Sequence, residues 1–233
     1  MAKLYLIPNL LGDTPWPLVL PAAVPEVMAR LRFFFVEDVR TARRYLKKVH
    51  PAIDIDALHF SVLSKETEER EAAGFLEFLL AGNDAGVISE AGCPGVADPG
   101  ALIVRLAHRA GIGVVPLVGP SSILLALMAS GFNGQQFTFH GYLPVKPQER
   151  IRKLQQLERT AATVGETQIF METPYRNNAF LADLLRNCQP STLLCIAANL
   201  TTPQEMARTM TIAQWRKNPP DLAKQPAIFL FGR

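Results

Sequence analysis

Two adjacent carboxylates follow a short apolar run near the start of the chain. Glu37 and Asp38 come directly after FFFV at 33–36, which has the composition of a buried strand. The carboxyl ends of strands in α/β sheets face ligands, and a carboxylate there can take a proton from a weak nucleophile such as a hydroxyl. We therefore predict Glu37 and Asp38 as candidate general bases. The structural alternative is that they cap the helix that begins near Val39 or pair with Arg40.

The next segment, VRTARRYLKKV at 39–49, is basic and has the periodicity of a helix. Several of its cations share one helix face beside the same edge, where they suit phosphate contacts that give affinity without sequence choice. The alternative is an ordinary solvated face. The cations that we predict to contact phosphate groups are Arg40, Arg43, Arg44 and Lys47.

Two further turns join a predicted strand to a predicted helix. In SEAGCPGVADPG at 89–100, the glycines leave the backbone open to close approach by a flat ligand. In VPLVGPSS at 115–122, Ser121 and Ser122 either cap the following helix or offer hydroxyls to a carboxylate. Cys93 has no histidine beside it in sequence, so we expect a small loop side chain rather than a nucleophile. Neither a G-x-G-x-x-G turn after the first strand nor a Walker loop occurs.

Composition restricts the class of protein. The 233 residues are 48% hydrophobic and carry a formal net charge of +3, which permits an anionic partner without requiring one. Three cysteines form no C-x-x-C pair and four histidines are scattered, so we expect no metal site and a reducing cytoplasm. Prolines between Pro8 and Pro25 interrupt the apolar start, so we expect neither a signal peptide nor a membrane span.

Strands and helices alternate along the chain. Strands are predicted at 4–7, 33–37, 57–63, 85–89 and 112–118, with a helix between each successive pair from 33–37 onward; Asp98, Pro99 and Gly111 are expected to bound the clearest helix. Further strands are predicted at 136–143, 167–172 and 192–200, and the closing segments 207–215 and 227–232 are expected to be antiparallel. The predicted fold class is α/β, with a mainly parallel sheet in an N-terminal domain at 1–117 and a mixed sheet in a C-terminal domain at 118–233.

Four segments carry a resemblance to a known family. SEAGCPGVADPG, VVPLVGPSS, FHGYLPVK and METPYR occur in this order, and the chain thereby resembles the tetrapyrrole methylase superfamily. Within it, the chain resembles the bacterial small-subunit ribosomal RNA methyltransferases that methylate a cytidine ribose 2′-hydroxyl. The resemblance runs from Leu4 to Arg176 and continues weakly to the end.

The resemblance implies S-adenosylmethionine bound in a cleft between two α/β domains of a homodimer, with ribosomal RNA as the substrate. The residues that match cofactor-contacting positions of the family are Pro8, Ala91, Gly92, Cys93, Ser121, Ser122, Met171, Glu172, Ala198, Asn199, Pro226 and Ala227.

The substrate side departs from the family pattern. PNLLGDTPW stands in place of P-T-P-I-G-N-L, VEDVR in place of A-E-D-T-R, SKETEE where the family often has H-N-E, and ANLTTPQE in place of R-E-L-T-K. Two alternatives therefore stay open. One is methylation of a tetrapyrrole or another small or protein substrate, and the other is a cofactor-binding and RNA-binding protein without turnover.

Overall fold

A computed structural model of the chain describes residues 2–64 and 66–233. Lys65, within the SKETEE segment, lies outside the described residues. The chain divides into two compact units, Met1–Ser121 and Ser122–Arg233, and this division lies close to the boundary predicted after Leu117. We refer to them as the first unit and the second unit.

The first unit is built on a parallel sheet of five strands. These are β1 (Lys3–Ile7), β2 (Phe33–Val36), β3 (His59–Val62), β4 (Ala85–Ile88) and β5 (Gly113–Pro116). Their order is β3-β2-β4-β1-β5, and each neighbouring pair is parallel. The parallel sheet predicted for the N-terminal half is confirmed.

Helices cover both faces of this sheet. α1 (Ala23–Arg30) and α2 (Val39–Val49) pack on one face, and α3 (Glu69–Leu80) and α4 (Gly100–Arg109) pack on the other. Successive strand residues alternate between the two cores, so that Phe34 faces α1 and α2 while Phe35 faces α3 and α4. Burial on both faces explains why the strands read as continuous apolar runs.

The strand order places a topological switch point between β1 and β4. These strands are neighbours, but the chain leaves β1 toward α1 on one face and leaves β4 toward α4 on the opposite face. In open α/β sheets the crevice at the carboxyl ends of such a strand pair is where ligands bind. The loops after β1 and β4 therefore form the expected ligand-binding edge of the first unit.

The second unit contains a mixed sheet. Its helices are α5 (Ser122–Ser130), α6 (Pro147–Val164), α7 (Asn177–Asn187) and α8 (Ile212–Lys217), and its strands are β6 (Phe137–Tyr142), β7 (Thr167–Met171), β8 (Leu193–Ala198), β9 (Met206–Thr211) and β10 (Ala227–Gly232). The strand order is β6-β7-β10-β8-β9, in which only β6 and β7 pair in parallel. The predicted mixed sheet and the antiparallel arrangement of the closing strands are confirmed.

The core of the second unit lies between this sheet and the helices α6 and α7. Phe170, Phe229 and Phe231 point from the sheet into it, and Phe180 of α7 packs against two of them. The opposite face of β8, β9 and β10 is covered by α5. The sheet thus positions the loops that follow β7 and β8 and the loop that precedes β10.

Several predicted boundaries differ from the observed ones. The strand predicted at 57–63 is a 3-10 turn at Ile55–Ala57 followed by β3. The closing segment 207–215 splits into β9 and α8, because Thr211 caps α8 in a reciprocal capping box with Gln214. Helix α1 was not predicted. Over residues 2–64 and 66–233, no helix is both long enough and apolar enough to cross a membrane.

Candidate functional site

Four loops at the carboxyl edge of the first sheet bring together most of the predicted residues of the first unit. The loop after β1 begins with Pro8, the turn after β2 holds Glu37 and Asp38, the long turn 89–99 follows β4, and 117–121 follows β5. Ala91, Gly92, Cys93 and Ser121 therefore lie on loops at the same edge as the two acids. Ser122 is the first residue of α5 and belongs to the second unit.

Asn9 joins the loops at the switch point, and sequence reasoning missed it. Its backbone N–H donates to Gly92 O at 2.8 Å, and Gly92 N–H donates back to Asn9 O at 3.2 Å. Its side-chain amide donates to the carbonyls of Ser89 and Glu90 at 2.8 and 3.1 Å, while its Oδ1 accepts from Leu10 N–H at 2.7 Å. Asn9 is 5% exposed, so these buried bonds fix the turn 89–92 against the end of β1.

Pro8 is held from two sides. The Tyr45 hydroxyl of α2 donates to Pro8 O, and burial raises the pKa of Tyr45, so the hydroxyl remains a donor. From the other side Gly119 approaches so closely that a Cβ built on it would lie 2.1 Å from Pro8 Cβ. A side chain at position 119 is therefore incompatible with this position of Pro8. Gly119 lies in the VPLVGPSS turn, where sequence reasoning singled out only Ser121 and Ser122.

The two predicted acids have different roles in the fold. Asp38 is the N-cap of α2 and accepts from Thr41 N–H at 2.7 Å, which is the structural alternative considered from the sequence. Hydrogen bonding from Thr41, followed by the charges of Arg40 and Arg44, lowers the pKa of Asp38. Glu37 Oε1 accepts from Glu90 N–H at 3.0 Å, so this acid links β2 to the turn after β4. Their roles as bases stay predictions.

Cys93 has the environment of an unreactive thiol. Its Sγ lies 3.4 Å from Pro120 O, and partial burial together with the negative charge of Asp98 raises its pKa. Asp98 in turn accepts from Gly100 N–H at 2.6 Å and from Gly95 N–H at 2.8 Å. Asp98 thus bonds the first residue of α4, but the N-cap is Pro99, and the helix begins at Gly100 instead of at Pro99 as predicted.

The four predicted phosphate-binding cations are not equivalent in the structure. Arg43 forms a salt bridge with Asp56 at 2.6 Å, and Lys47 donates to the carbonyls of Pro51 and Ile53. Arg40 and Arg44 make no hydrogen bond or salt bridge with any residue in the described ranges. Each of the four is exposed. Arg40 and Arg44 are therefore the two whose side chains are available to a ligand.

A pocket of about 300 Å³ lies in the first unit, between α2 and the loop after β1. It is lined by Asn9, Leu10, Leu11, Gly12, Thr41, Arg44, Tyr45, Lys48, Glu90 and Ala91. The pocket therefore adjoins the motif-bearing turn and includes one predicted cofactor residue and one predicted phosphate-binding cation.

In the second unit, three loops meet at one edge of the sheet. They follow β7, follow β8 and precede β10, and they contain or adjoin the remaining predicted cofactor residues, which are Met171, Glu172, Ala198, Asn199, Pro226 and Ala227. Asn199 N–H donates to Pro226 O at 3.0 Å, and the Asn199 side chain donates to Gln225 Oε1 at 2.7 Å. The Asn177 side chain donates to Gln225 O at 2.6 Å. Hydrogen bonds thus connect the loops that carry these residues.

Buried polar atoms without a partner are concentrated at this edge of the second unit. Glu172 Oε1 accepts from Thr173 N–H and from Arg176, but Glu172 Oε2 has no partner among the described residues, although the side chain is 1% exposed. Arg176 Nε, Asn177 Oδ1 and Thr201 Oγ1 are likewise unpaired within the described chain. An unsatisfied buried polar group is costly, so such a group indicates a missing water or ligand.

Backbone strain occurs in the same loops. Asn199, Thr201 and Lys224 have φ values of 50°, 71° and 58°, in the left-handed region that residues other than glycine rarely adopt. S-adenosylmethionine carries hydroxyl and amino donors, the groups that an unpaired carboxylate oxygen such as Glu172 Oε2 requires. The residues present at this edge therefore fit the cofactor that the resemblance implies.

Metal ligands are not clustered in the part of the chain that the structure describes: no group of three or more histidine, cysteine, aspartate or glutamate side chains could hold an ion there.

Comparison with known proteins places these features in a family context. A family model of tetrapyrrole (corrin/porphyrin) methylases matches residues 21–215. The chain is similar to the ribosomal RNA small subunit methyltransferase I of Vibrio cholerae, with 31% identity over 91% of this chain and 69% of the relative. It is similar to the protein of the same name from Micromonospora olivasterospora, with 36% identity over 87% of this chain and 60% of the relative. Across the first three relatives, this chain spans 60 to 69% of their length.

Solved structures support the same fold. The methyltransferase CobJ aligns with a TM-score of 0.63 at 20% identity, covering 100% of this chain and 93% of that one. The uroporphyrin III C-methyl transferase of Thermus thermophilus aligns with a TM-score of 0.59 at 18% identity, covering 100% of this chain and 98% of that one. At these identities the likeness establishes the fold, and the predicted two-unit α/β architecture is confirmed.

Proposed function

Because this chain belongs to the tetrapyrrole methylase family and to its ribosomal RNA small subunit methyltransferase I branch, we propose that it methylates a ribose 2′-hydroxyl of ribosomal RNA with S-adenosylmethionine. The observation that carries the proposal is the pairing of Asn9 with Gly92. It holds the glycine-rich motif turn against the end of β1 at the topological switch point.

The proposed cofactor contacts are the residues predicted from the resemblance. S-adenosylmethionine supplies an electrophilic methyl group when bound. In the first unit, Ala91 and Gly92 lie in the turn after β4, where Gly92 has a φ of +70°, and in the second unit Glu172 offers a buried carboxylate oxygen without a partner in the described chain. Methyl transfer needs the acceptor oxygen in line with the donor carbon, and such positioning can supply about 7–11 kcal/mol of the barrier.

Glu37 and Asp38 are the proposed bases for the acceptor hydroxyl. Glu37 is the stronger candidate, because the cap bond from Thr41 lowers the pKa of Asp38 and so weakens Asp38 as a proton acceptor. Asp38 instead contributes by fixing the first turn of α2. The basic residues of that helix, Arg40, Arg43, Arg44 and Lys47, are the proposed phosphate contacts to RNA.

We also propose a homodimer in the cytoplasm. The family resemblance supports the dimer, and Leu124 and Met128, one turn apart on α5, expose 51% and 79% of their surface. Three free cysteines support a reducing compartment. Sedimentation should give twice the monomer mass of 25.7 kDa, and a species of the monomer mass would contradict the dimer.

Calorimetric titration with S-adenosylmethionine tests the cofactor. Wild type should bind, and Gly92→Ala should bind more weakly, because φ is +70° at Gly92 and a Cβ there would lie 3.3 Å from Leu11 Cδ2. Gly134→Ala is the matched control, since a Cβ there meets nothing within 4 Å. A folded wild-type protein that does not bind S-adenosylmethionine contradicts the proposal.

Ribose-methylation mapping tests the acceptor. Ribosomal RNA from a strain that lacks the gene should lose one 2′-O-methyl group, and the wild-type gene should restore it. An unchanged methylation profile would rule out ribosomal RNA as the acceptor without affecting the evidence for cofactor binding.

A further inference from the structure

The pocket between α2 and the loop after β1 is lined by cationic, apolar and hydrogen-bond-accepting groups. Arg44 and Lys48 lie one helical turn apart on α2 and line one side, while Leu10 and Leu11 provide an apolar wall. Glu90 adds a hydrogen-bond acceptor. One nucleotide requires a cation for its phosphate, an apolar surface for its base and a hydrogen-bond acceptor for its sugar hydroxyl.

We propose that this pocket binds one nucleotide of an RNA strand, with the guanidinium of Arg44 on its phosphate and the wall of Leu10 and Leu11 against its base. The inference rests on the proposed function, because it assigns a subsite to the RNA substrate. The inference goes beyond the proposed function because it assigns RNA binding to one cation of the basic helix and to one pocket beside that helix.

Arg44 is selected because it lines the pocket and makes no hydrogen bond or salt bridge with the described residues. Among the other cations of α2, Arg43 pairs with Asp56, Lys47 with two backbone carbonyls and Lys48 with Asp13 at 2.8 Å, and Arg40 does not line the pocket. Arg44 makes no hydrogen bond or salt bridge in the described ranges, and its planar guanidinium can bind a phosphate through two N–H groups at once. Binding a phosphate at Arg44 therefore breaks no existing contact.

The volume of the pocket is compatible with a single nucleotide. Small-molecule pockets span roughly 300–1,000 Å³, and this one, at about 300 Å³, is at the lower end. The carboxylate of Glu90 disfavours a ligand with several negative groups, but it can accept from a ribose hydroxyl.

The walls of the pocket are fixed before any ligand arrives. Asn9 is buried and fully bonded to the turn after β4, and the Tyr45 hydroxyl ties α2 to Pro8 O. A preorganised pocket loses little conformational entropy on binding. The pocket can therefore orient one nucleotide and so set which ribose of the strand reaches the reacting edge.

The test is fluorescence anisotropy with a labelled single-stranded RNA of about 12 nucleotides, over a range of salt concentrations. Arg44→Ala should weaken binding about tenfold and reduce the slope of log K against log salt by about 0.7, the value for one phosphate contact on a single strand. The matched control is Arg105→Ala, an exposed arginine on α4 at the opposite face of the sheet, which should stay within about twofold of wild type.

A second variant separates the pocket from general charge. Thr41→Gln fills the pocket without changing its charge, so it should weaken RNA binding while leaving the salt slope unchanged. Thermal unfolding of each variant confirms that it folds. If Arg44→Ala equals Arg105→Ala, or if Thr41→Gln binds RNA like wild type, the pocket does not hold the nucleotide.

Calorimetry with S-adenosylmethionine on the same variants separates the two proposals. Arg44→Ala should bind the cofactor like wild type, because Arg44 is not a proposed cofactor contact. If the wild-type protein does not bind S-adenosylmethionine, the proposed function is wrong. If all variants bind RNA equally, only the proposal that this pocket holds a nucleotide is wrong.

Discussion

At the scale of single residues, Tyr45 connects the helix of predicted phosphate contacts to the predicted cofactor edge. Its hydroxyl donates to the buried carbonyl of Pro8. We expect Tyr45→Phe to lower the free energy of unfolding by about 1–3 kcal/mol, because the Pro8 carbonyl would remain buried without a donor. Urea unfolding, with the midpoint and the slope fitted separately, measures this change.

Tyr5→Phe is the matched control for that substitution. Tyr5 is only partly buried, and its hydroxyl makes no hydrogen bond with any residue in the described ranges. Its loss should therefore change the free energy of unfolding by less than about 0.5 kcal/mol. Equal destabilisation by the two substitutions would show that the Tyr45–Pro8 hydrogen bond does not stabilise this edge.

At the scale of elements, the loops after β1 and β5 depend on the absence of a side chain at Gly119. A Cβ there would lie 2.1 Å from Pro8 Cβ, so Gly119→Ala must displace one of the loops. We expect a loss of about 1–3 kcal/mol in the free energy of unfolding, the usual cost of overpacking, together with weaker binding of S-adenosylmethionine. Denaturant unfolding and calorimetry measure the two effects.

Gly113→Ala, in β5 of the same unit, is the control for Gly119→Ala. The nearest heavy atom to its Cβ would be Lys3 Cγ at 4.0 Å, an ordinary contact. This variant should bind S-adenosylmethionine like wild type. If Gly119→Ala retains wild-type stability and wild-type affinity for S-adenosylmethionine, the close packing of Gly119 against Pro8 is not needed for either property.

The N-cap of α2 makes the stability of this helix depend on pH. The pKa of Asp38 lies below its ordinary value of 3.8, so its contribution is present above pH 3.8 and is lost as the pH falls through the lower value of the folded state. Asp38→Ala should therefore have a lower Tm than wild type near pH 7, and the difference should shrink as the pH falls below 3.8.

Asp38→Asn separates the charge from the cap. Asparagine also caps helices, so this variant should lie between wild type and Asp38→Ala near pH 7 and should not titrate at this position. Thermal unfolding by circular dichroism over the pH range gives the three curves. If the Tm difference between wild type and Asp38→Ala is the same at every pH, the pKa of Asp38 is not lowered in the folded protein.

The elements themselves were predictable from the sequence where local signals and tertiary packing agree. α2 has the predicted bounds because Asp38 caps an amphipathic run. α1 was missed because Pro25 suggested an interruption, yet Pro25 lies in the first turn, where its missing N–H has no intrahelical acceptor. The bonds from Asn9 to Ser89 and Glu90 join residues about 80 positions apart, so no local pattern could have indicated them.

At the scale of the whole molecule, each compact unit has its own sheet and its own core. A unit with a closed core can fold by itself. We expect residues 1–121 expressed alone to unfold in one cooperative transition, with a denaturant slope reduced in proportion to the smaller surface exposed. Circular dichroism during urea unfolding measures this, and a broad transition without a folded baseline would contradict it.

The same fragment gives a functional prediction for the molecule. Every residue that lines the nucleotide pocket belongs to the first unit, and so do Asn9 and Tyr45, which fix its walls. Residues 1–121 should therefore bind the labelled RNA within about threefold of the full chain, since the pocket contacts are unchanged. Arg44→Ala in the fragment should cause the same loss as in the full chain. A cooperatively folded fragment that does not bind RNA would show that the first unit alone is insufficient for nucleotide binding.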